Sequence, residues 1–447
     1  MWAIMRTAPA YDGLSRADGP YLTATVPVDA AGMLPAVPAR NADAGPATVV
    51  LVHARYRQPG GEDRVFADEI ELLRSRGHRV ATFTADNRGI DEMSVAALAR
   101  DTLWNADAAR RLRARVRAEG ASVVHFHNTF PLLSPAVYRA ARQEGATVVQ
   151  TLHNYRLLCP NGLLFHDGSP CERCVGRAFA WPGVLRGCYR DSRVQTAAAA
   201  GMVAVHRARG TWTGDVDAYV ALGDFARKKF VAGGLPEEKL FVRPNYLPDD
   251  PGGGAHAGGY ALYAGRLSEE KGIGTLLKAW AVLDGRLPLK VVGRGPMEAV
   301  AGAGIPGVEW LGARPREEVL RLMQDAALLV FPSECYENFP LSLVEAFATG
   351  LPVVAADGGA AGELVLLHGA GFTFPPGDFV ALAAAVQRLT GDPAARRGTS
   401  LAARTAFASE YTADRAYTRL MEIYGGVGAS THHPRVRSVR HVRGAAP

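Results

Sequence analysis

Cysteine is scarce in this chain. There are five in 447 residues, and four of them fall between positions 159 and 188. A small disulfide-scaffolded domain has a short chain dense in cysteine, so that class is excluded. Long apolar runs are also missing. No stretch reaches the roughly 18 apolar residues that a membrane-spanning helix needs. AAAAGMVAV, from Ala197 to Val205, is too short and reads as a packed helix. The first residues show no charged start leading into an apolar core and a small-residue cleavage site, so the expected compartment is the cytoplasm. Excess charge is small: 50 Lys and Arg stand against 44 Asp and Glu. The basic residues are not interleaved with aromatics, which argues against nucleic acid as a partner. Neither the strict dinucleotide fingerprint nor the phosphate loop of nucleotide hydrolases is present.

What the chain does have is room for two or three domains and a regular alternation of apolar runs with helical patterns. TVVLVH, RVATFTAD, SVVHFHN, TVVQTLHN, AYVALG and LFVRPN form a first set of strand candidates. YALYAG, LKVVG, VEWLG, LLVFP, PVVAA and GFTFP form a second. Alternation of this kind predicts α/β architecture with parallel, doubly wound sheets. The stretch PDDPGGGAHAGG, from Pro248 to Gly259, breaks the two sets apart and predicts two lobes around a cleft. The expected boundaries are a loose extension over 1–45, a first lobe over 46–248 and a second over 255–408. A Cys-rich insertion at 155–192 interrupts the first lobe.

Two segments carry chemistry. In the first, Ser333 to Gly350, the apolar run AALLVFP enters a loop, a short helix follows Pro340 and ends at Gly350, and PVVAA follows. Gly just past a helix end and Pro close behind are ordinary stop signals. Glu337 falls in the loop and Glu345 inside the helix. Both therefore lie toward the carboxyl ends of the strands, where parallel αβ sheets bind ligands. In the second segment, Gly265-Arg266-Leu267-Ser268-Glu269-Glu270-Lys271-Gly272 follows YALYA and leads into a helical pattern. Amides at a helix N-terminus attract anions, and Arg266 and Lys271 add two full charges.

Together these segments resemble the donor-site signature of the family 4 (group 1) retaining glycosyltransferases. Glu337-Asn338-Phe339-Pro340-Leu341 through Glu345-Ala346 matches the paired-glutamate motif, and Arg266 with Lys271 matches the diphosphate clamp. The resemblance covers roughly Ala47 to Gly425. It implies the GT-B fold, two Rossmann-like domains facing a central cleft, with a last helix over 409–425 crossing back to the first lobe. A basic disordered tail over 426–447 would follow. It further implies a nucleoside-diphosphate sugar as donor and a glycan or lipid-linked hydroxyl as acceptor. No cofactor would be required for catalysis. Gly60 and Gly61, after the first strand, would meet the donor diphosphate; a tight turn without a ligand explains them as well. His153, in TLHNYRLLCPNG, would reach the donor sugar, with His127 a weaker candidate. Gly293 and Arg294 would border the nucleotide base, although Arg294 stands where an acidic residue is common.

Several features stay open in the residues themselves. Asp215-Val216-Asp217 looks like a metal-holding pair but directly precedes a strand, at the wrong end for the crevice. The arginines of RRLRARVR, from Arg110 to Arg117, read as a solvated helix face or as a contact with anionic lipid at the inner face of a membrane. Cys159, Cys171, Cys174 and Cys188 supply four thiolates for a tetrahedral structural zinc, with His166 as a substitute for one. Packed free thiols are the competing reading, and a cytoplasmic setting disfavours disulfides. A GT-B epimerase, a sugar-nucleotide binder without turnover and a zinc-containing nucleic-acid binder are the rival functions.

Overall fold

The computed structural model describes residues 47–56, 60–301 and 304–431. The extension over 1–45 therefore lies outside the described residues, as does the tail from 432 onward. The first lobe is built on a parallel sheet of β1 (Thr48–Arg55), β2 (Arg79–Asp86), β3 (Val123–Asn128) and β4 (Thr147–Leu152). A small antiparallel hairpin, β5 (Phe165–His166) with β6 (Ser169–Pro170), interrupts it before β7 (Ala218–Ala221) and β8 (Leu240–Val242) complete the sheet. The second lobe contains β9 (Ala261–Ala264), β10 (Leu289–Val292), β11 (Val308–Gly312), β12 (Leu328–Phe331), β13 (Val353–Ala356) and β14 (Gly371–Phe374). Each apolar run read from the sequence is one of these strands, because strands buried on both faces need continuous apolar sequence rather than alternation.

Sheet order explains where ligands can go. The first sheet runs β2-β1-β3-β4-β7-β8 and the second β11-β10-β9-β12-β13-β14. Strand order reverses at β1/β3 in one sheet and at β9/β12 in the other. The loops leaving such a reversal diverge and open a crevice at the carboxyl ends of the strands. The loop after β9 carries Arg266 and Lys271, and the loop after β12 carries Glu337. Both charged segments therefore leave one switch point.

The final helix spans Ala413–Thr431, so it starts later and runs further than the expected 409–425, and Gly426 to Thr431 are helical rather than disordered tail. Its Leu420, Ile423, Tyr424 and Val427 are buried with Val49, Leu51, Phe66, Val123 and Val149 of the first lobe. Each such side chain contributes about 1.5–3 kcal/mol when fully buried, enough to override the weak helix propensity of Gly425 and Gly426. The arginine-rich helix Ala106–Glu119 is solvated, and its charges are already engaged. Arg110 and Arg111 pair with Asp107, Arg115 with Glu119, and Arg113 and Arg117 with Glu144. None of the described helices is long and apolar enough to cross a membrane.

Beneath the cleft lies a buried charge network. Glu69, on the helix Gly61–Ser75, is fully buried and stands 2.6 Å from Arg243 Nη1, just past β8. Arg243 Nε donates to the carbonyl of Ala416 on the final helix, 3.0 Å away. The pair thus ties the first helix, the segment leaving the first sheet and the final helix together. Removing one partner of such a pair leaves an unpaired buried charge. Arg243→Leu should therefore lower unfolding free energy by about 3–5 kcal/mol, read from urea midpoints. A loss below 1 kcal/mol would show that the pair is not a structural tie.

Candidate active site

A cavity of about 360 Å³ lies between the lobes. From the first lobe it is lined by Gly61, Glu62, Val65 and His153, and from the second by Gly265, Arg266, Lys271, Ser333, Glu337, Phe339, Pro340 and Leu341. Its size is at the lower end of the range for small-molecule sites. Two glycines make it possible. Gly272 has φ +69°, and a Cβ there would fall 1.9 Å from the Pro332 carbonyl, so only glycine lets the β9 loop reach the end of β12. Gly293 has φ +141°, and a Cβ there would sit 1.8 Å from the Gly265 carbonyl. Gly293 therefore works by close packing behind the β9 loop.

These approaches bring Lys271 onto Glu337, as a direct ion pair. Ser333 Oγ donates to the same carboxylate at 2.7 Å. Burial alone would depress the Lys271 ammonium, but Glu337 outweighs it and holds the group charged. Arg266 pairs with Glu270 and keeps more than half of its side chain exposed. The cavity therefore holds one buried, anchored cation and one that is paired but largely exposed.

Not every expected site residue lines it. Gly60, the residue capping the first helix, stands just outside. Gly293 and the exposed Arg294 lie behind the β9 loop, where the Arg294 carbonyl accepts from Leu267 N–H. Asn338 is buried and donates to the carbonyl of Leu152 in the first lobe, so it ties the lobes together. Glu345 sits in the helix Leu341–Thr349 with its carboxylate 2.8 Å from Arg316 Nε, off the cavity wall. Asp217 lies before β7, where Arg142 and the Val148 N–H occupy its carboxylate. Gly293 and the Arg294 carbonyl thus make packing contacts with the β9 loop, because the two glycine loops interlock.

His153 belongs to a chain of histidines that leads back to Glu69. His127 Nε2 is 3.3 Å from Glu69 Oε1, and His127 Nδ1 is 2.9 Å from His153 Nε2. Burial pushes the Glu69 carboxyl up, but Arg243, His125 and His127 together bring it well below its ordinary value. Burial holds His127 down at about 4, and burial followed by His127 holds His153 well below its ordinary value. Both rings are then neutral at pH 7. A carboxylate accepts only, so His127 donates from Nε2 and accepts at Nδ1. His153 must donate from Nε2, which leaves its Nδ1 as an acceptor. Glu69 is thus a positioning residue: it sets the tautomer of His153 through His127.

Glu62 was passed over in the sequence, although it stands next to Gly61. It is half-buried on the cavity wall, hydrogen-bonded through Oε2 to Tyr56 Oη at 2.9 Å, while Oε1 has no partner among the described residues. Burial pushes its carboxyl up to about 8. Only a glutamate at a helix start was visible beforehand, and that position ordinarily favours the ionised form.

A double Rossmann architecture, with cations of one lobe facing a glycine turn of the other across a cleft, defines the GT-B class. The chain belongs to the family 4, group 1 glycosyltransferases. The family described as "Glycosyltransferase Family 4" matches residues 59–250, and that described as "Glycosyl transferases group 1" matches 258–392. The amylovoran biosynthesis glycosyltransferase AmsK of Erwinia amylovora is 31% identical over 44% of this chain and 53% of its own length. A glycogen synthase of Mycobacterium tuberculosis is 31% identical over 40% of this chain and 46% of its own. The chain therefore aligns with about half the length of these relatives. The Anabaena protein Alr3699/HepE, crystallised with UDP, superposes with a TM-score of 0.60 at 17% identity, covering 85% of this chain and 99% of that one. Sucrose-phosphate synthase of Thermosynechococcus elongatus gives 0.63 at 18%, covering 86% and 100%. At such identity these two likenesses are of fold.

The Glu62 environment makes a pH prediction. Its folded value of about 8 lies above the ordinary 4.5, so the fold favours the protonated form. That contribution is complete below 4.5 and is lost as pH rises toward 8. Glu62→Gln does not titrate, so its melting temperature relative to the wild type should rise between pH 5 and pH 8. An equal difference at both pH values would show that Glu62 is not held protonated.

Proposed function

We propose that the protein is a retaining hexosyltransferase, moving a sugar from a nucleoside-diphosphate sugar to an acceptor hydroxyl in cell-surface or exopolysaccharide synthesis. The observation that carries this reading is the convergence of Gly61, Arg266, Lys271 and Glu337 on one interlobe cavity. The helix Gly61–Ser75 begins at the cavity, and its first amides add partial positive charge facing Arg266 and Lys271. A diphosphate placed there would be met from both lobes. Arg266 would swing from Glu270, and Lys271 would exchange part of its hold on Glu337 for a phosphate oxygen. Glu337, freed on one side, would accept hydroxyls of the donor sugar, and the lone pair on His153 Nδ1 would accept another. Glu345, one helical turn beyond the wall residues Leu341 and Ser342, would exchange part of its hold on Arg316 for the ribose.

In this mechanism the acceptor attacks the face from which the diphosphate leaves, and a donor phosphate oxygen receives its proton, so configuration is retained. Charge on the leaving group is met by Arg266, Lys271 and helix amides. Catalysis is therefore independent of added divalent metal; Asp217, the nearest thing to a metal-holding pair with Asp215, is committed to Arg142. The names of relatives in amylovoran and O-antigen synthesis support the destination, and the UDP held by the Anabaena neighbour supports the donor class.

A lipid-linked acceptor would bring the protein to a membrane. The insertion offers a suitable face: Trp181 is 50% and Leu185 59% exposed, with Arg173, Arg177 and Arg186 around them. An aromatic and an aliphatic side chain ringed by arginines suit an anionic lipid surface.

Lys271→Ala should lower turnover about 10²-fold or more while the protein stays folded, because it removes a preorganised partner of the leaving group. NMR of the product should show the donor's anomeric configuration. Unchanged turnover, an inverted product, or a donor altered without acceptor (the epimerase outcome) would each overturn the reading. For the membrane face, Trp181→Ser with Leu185→Ser should reduce co-sedimentation with phosphatidylglycerol vesicles. Equal sedimentation of variant and wild type would remove that contact.

A further inference from the structure

The insertion between His153 and the helix Arg193–Ala208 has little to hold it in shape. From 161 to 191 most residues are exposed or half-buried, and the regular structure is only the two-residue strands β5 and β6 and the short helix Trp181–Arg186. An apolar core cannot order such a segment, because too little surface is removed from water to offset the backbone entropy. Yet its backbone is closely organised around its cysteines. Cys159 N–H donates to the Tyr155 carbonyl at 2.8 Å, Cys171 N–H to Leu164 at 2.7 Å, and Cys188 N–H to Gly183 at 3.1 Å. Gly183 packs directly on Cys174, where an added Cβ would lie 3.4 Å from Sγ.

All four cysteines, Cys159 after β4, Cys171 and Cys174 just after β6, and Cys188 past the helix Trp181–Arg186, line one cavity of about 10 Å³, the space of a single small ion or water. His166 lines it too, with Nδ1 3.9 Å from Cys188 Sγ and Nε2 3.2 Å from Asp167. None of the five cysteines is disulfide-bonded. We propose that Cys159, Cys171, Cys174 and Cys188 bind one structural zinc ion, with the His166 ring beside the Cys188 sulfur. Four thiolates at about 2.3 Å from zinc stand ~3.8 Å apart. Among the described residues, only Glu69, His125 and His127 already hold three candidate ligand atoms within 4.8 Å of one another. The thiols surround their cavity more loosely, so binding would require them to draw together. The Glu69 cluster is the poorer site despite its spacing, because Arg243 already neutralises its carboxylate.

Zinc suits the donor set: soft thiolates in a tetrahedral arrangement select zinc or an iron–sulfur cluster, and a cavity of about 10 Å³ matches a single ion. The ion would also bear on the cleft. Glu172, between the paired cysteines, holds Lys229 at 2.6 Å, and Lys229 lies 4.8 Å from the Tyr336 ring centroid, next to Glu337. The tip of the hairpin at Gly168 faces Glu269 of the other lobe. A cross-link among the four cysteines thus stiffens a lobe that touches both donor-side loops.

The test uses the full chain purified without metal-affinity resin and analysed by inductively coupled plasma mass spectrometry. About one zinc per chain is expected, released as p-hydroxymercuribenzoate titrates the thiols and detected by 4-(2-pyridylazo)resorcinol. Cys171→Ser with Cys174→Ser should lower zinc to below 0.1 per chain and speed protease cleavage within 155–192 while both lobes remain intact. The release measurement on wild-type protein decides the matter even if that variant fails to fold. Zinc absent with all five thiols titratable after unfolding, fewer thiols through disulfides, iron in place of zinc, or zinc retained by the double variant would each overturn the proposal.

Discussion

The Glu69 carboxylate is the interaction on which the first lobe and the cleft depend. It is fully buried, and four partners meet it: Arg243, His125 and His127 directly, and His153 through His127. A buried carboxylate without such partners would be expelled or protonated. With them it does three things. It fixes the segment that leaves the first sheet, holds the final helix through Arg243 and the Ala416 carbonyl, and sets which nitrogen of His153 is left as an acceptor. Stability and site chemistry share one charge.

The cleft follows from sheet order rather than from any single residue. Loops after β1, β9 and β12 leave two switch points that face each other, and the glycine approaches at Gly272 and Gly293 close the second lobe's loops to contact distance. Interlobe hydrogen bonds from Asn338 to Leu152, and from the Phe225 N–H to Glu363 at 2.9 Å, then set the width. Glu363 lies in the first turn of the helix Ala360–His368, just after the Gly358-Gly359 turn. The backbone of Gly359 and Ala360 packs against Glu337, so this turn steadies the site from behind.

Much of this was legible in the residues because the signals are local. An apolar run of four to eight residues bounded by Gly or Pro needs only its own neighbours to be read as a buried strand, and each such run is one. The helix after Pro340, stopped by Gly350 at φ +71°, is read the same way. So are Arg266, Lys271 and Glu337, whose motifs follow strands. What was not legible were contacts across distance. Arg294 and Asn338 lie in the right loops but turn into packing and interlobe contacts, since a loop's exit from a strand does not say which neighbour it will meet. Glu62 was in plain view, but its raised proton affinity arises from burial that no short window reports.

The sequence by itself determined the fold class, the strands, the two-lobe division and the cations of the second lobe, because hydrophobic periodicity and turn chemistry act over a few residues. Tertiary structure alone decided the Glu69–Arg243 tie, whose partners are 174 residues apart, and the gathering of four cysteines around one cavity. It also decided the tautomer of His153 and the path of the final helix onto the first lobe. Burial and long-range pairing are properties of the assembled chain. The dielectric around a carboxylate, and the identity of its partners, exist only once distant segments have packed.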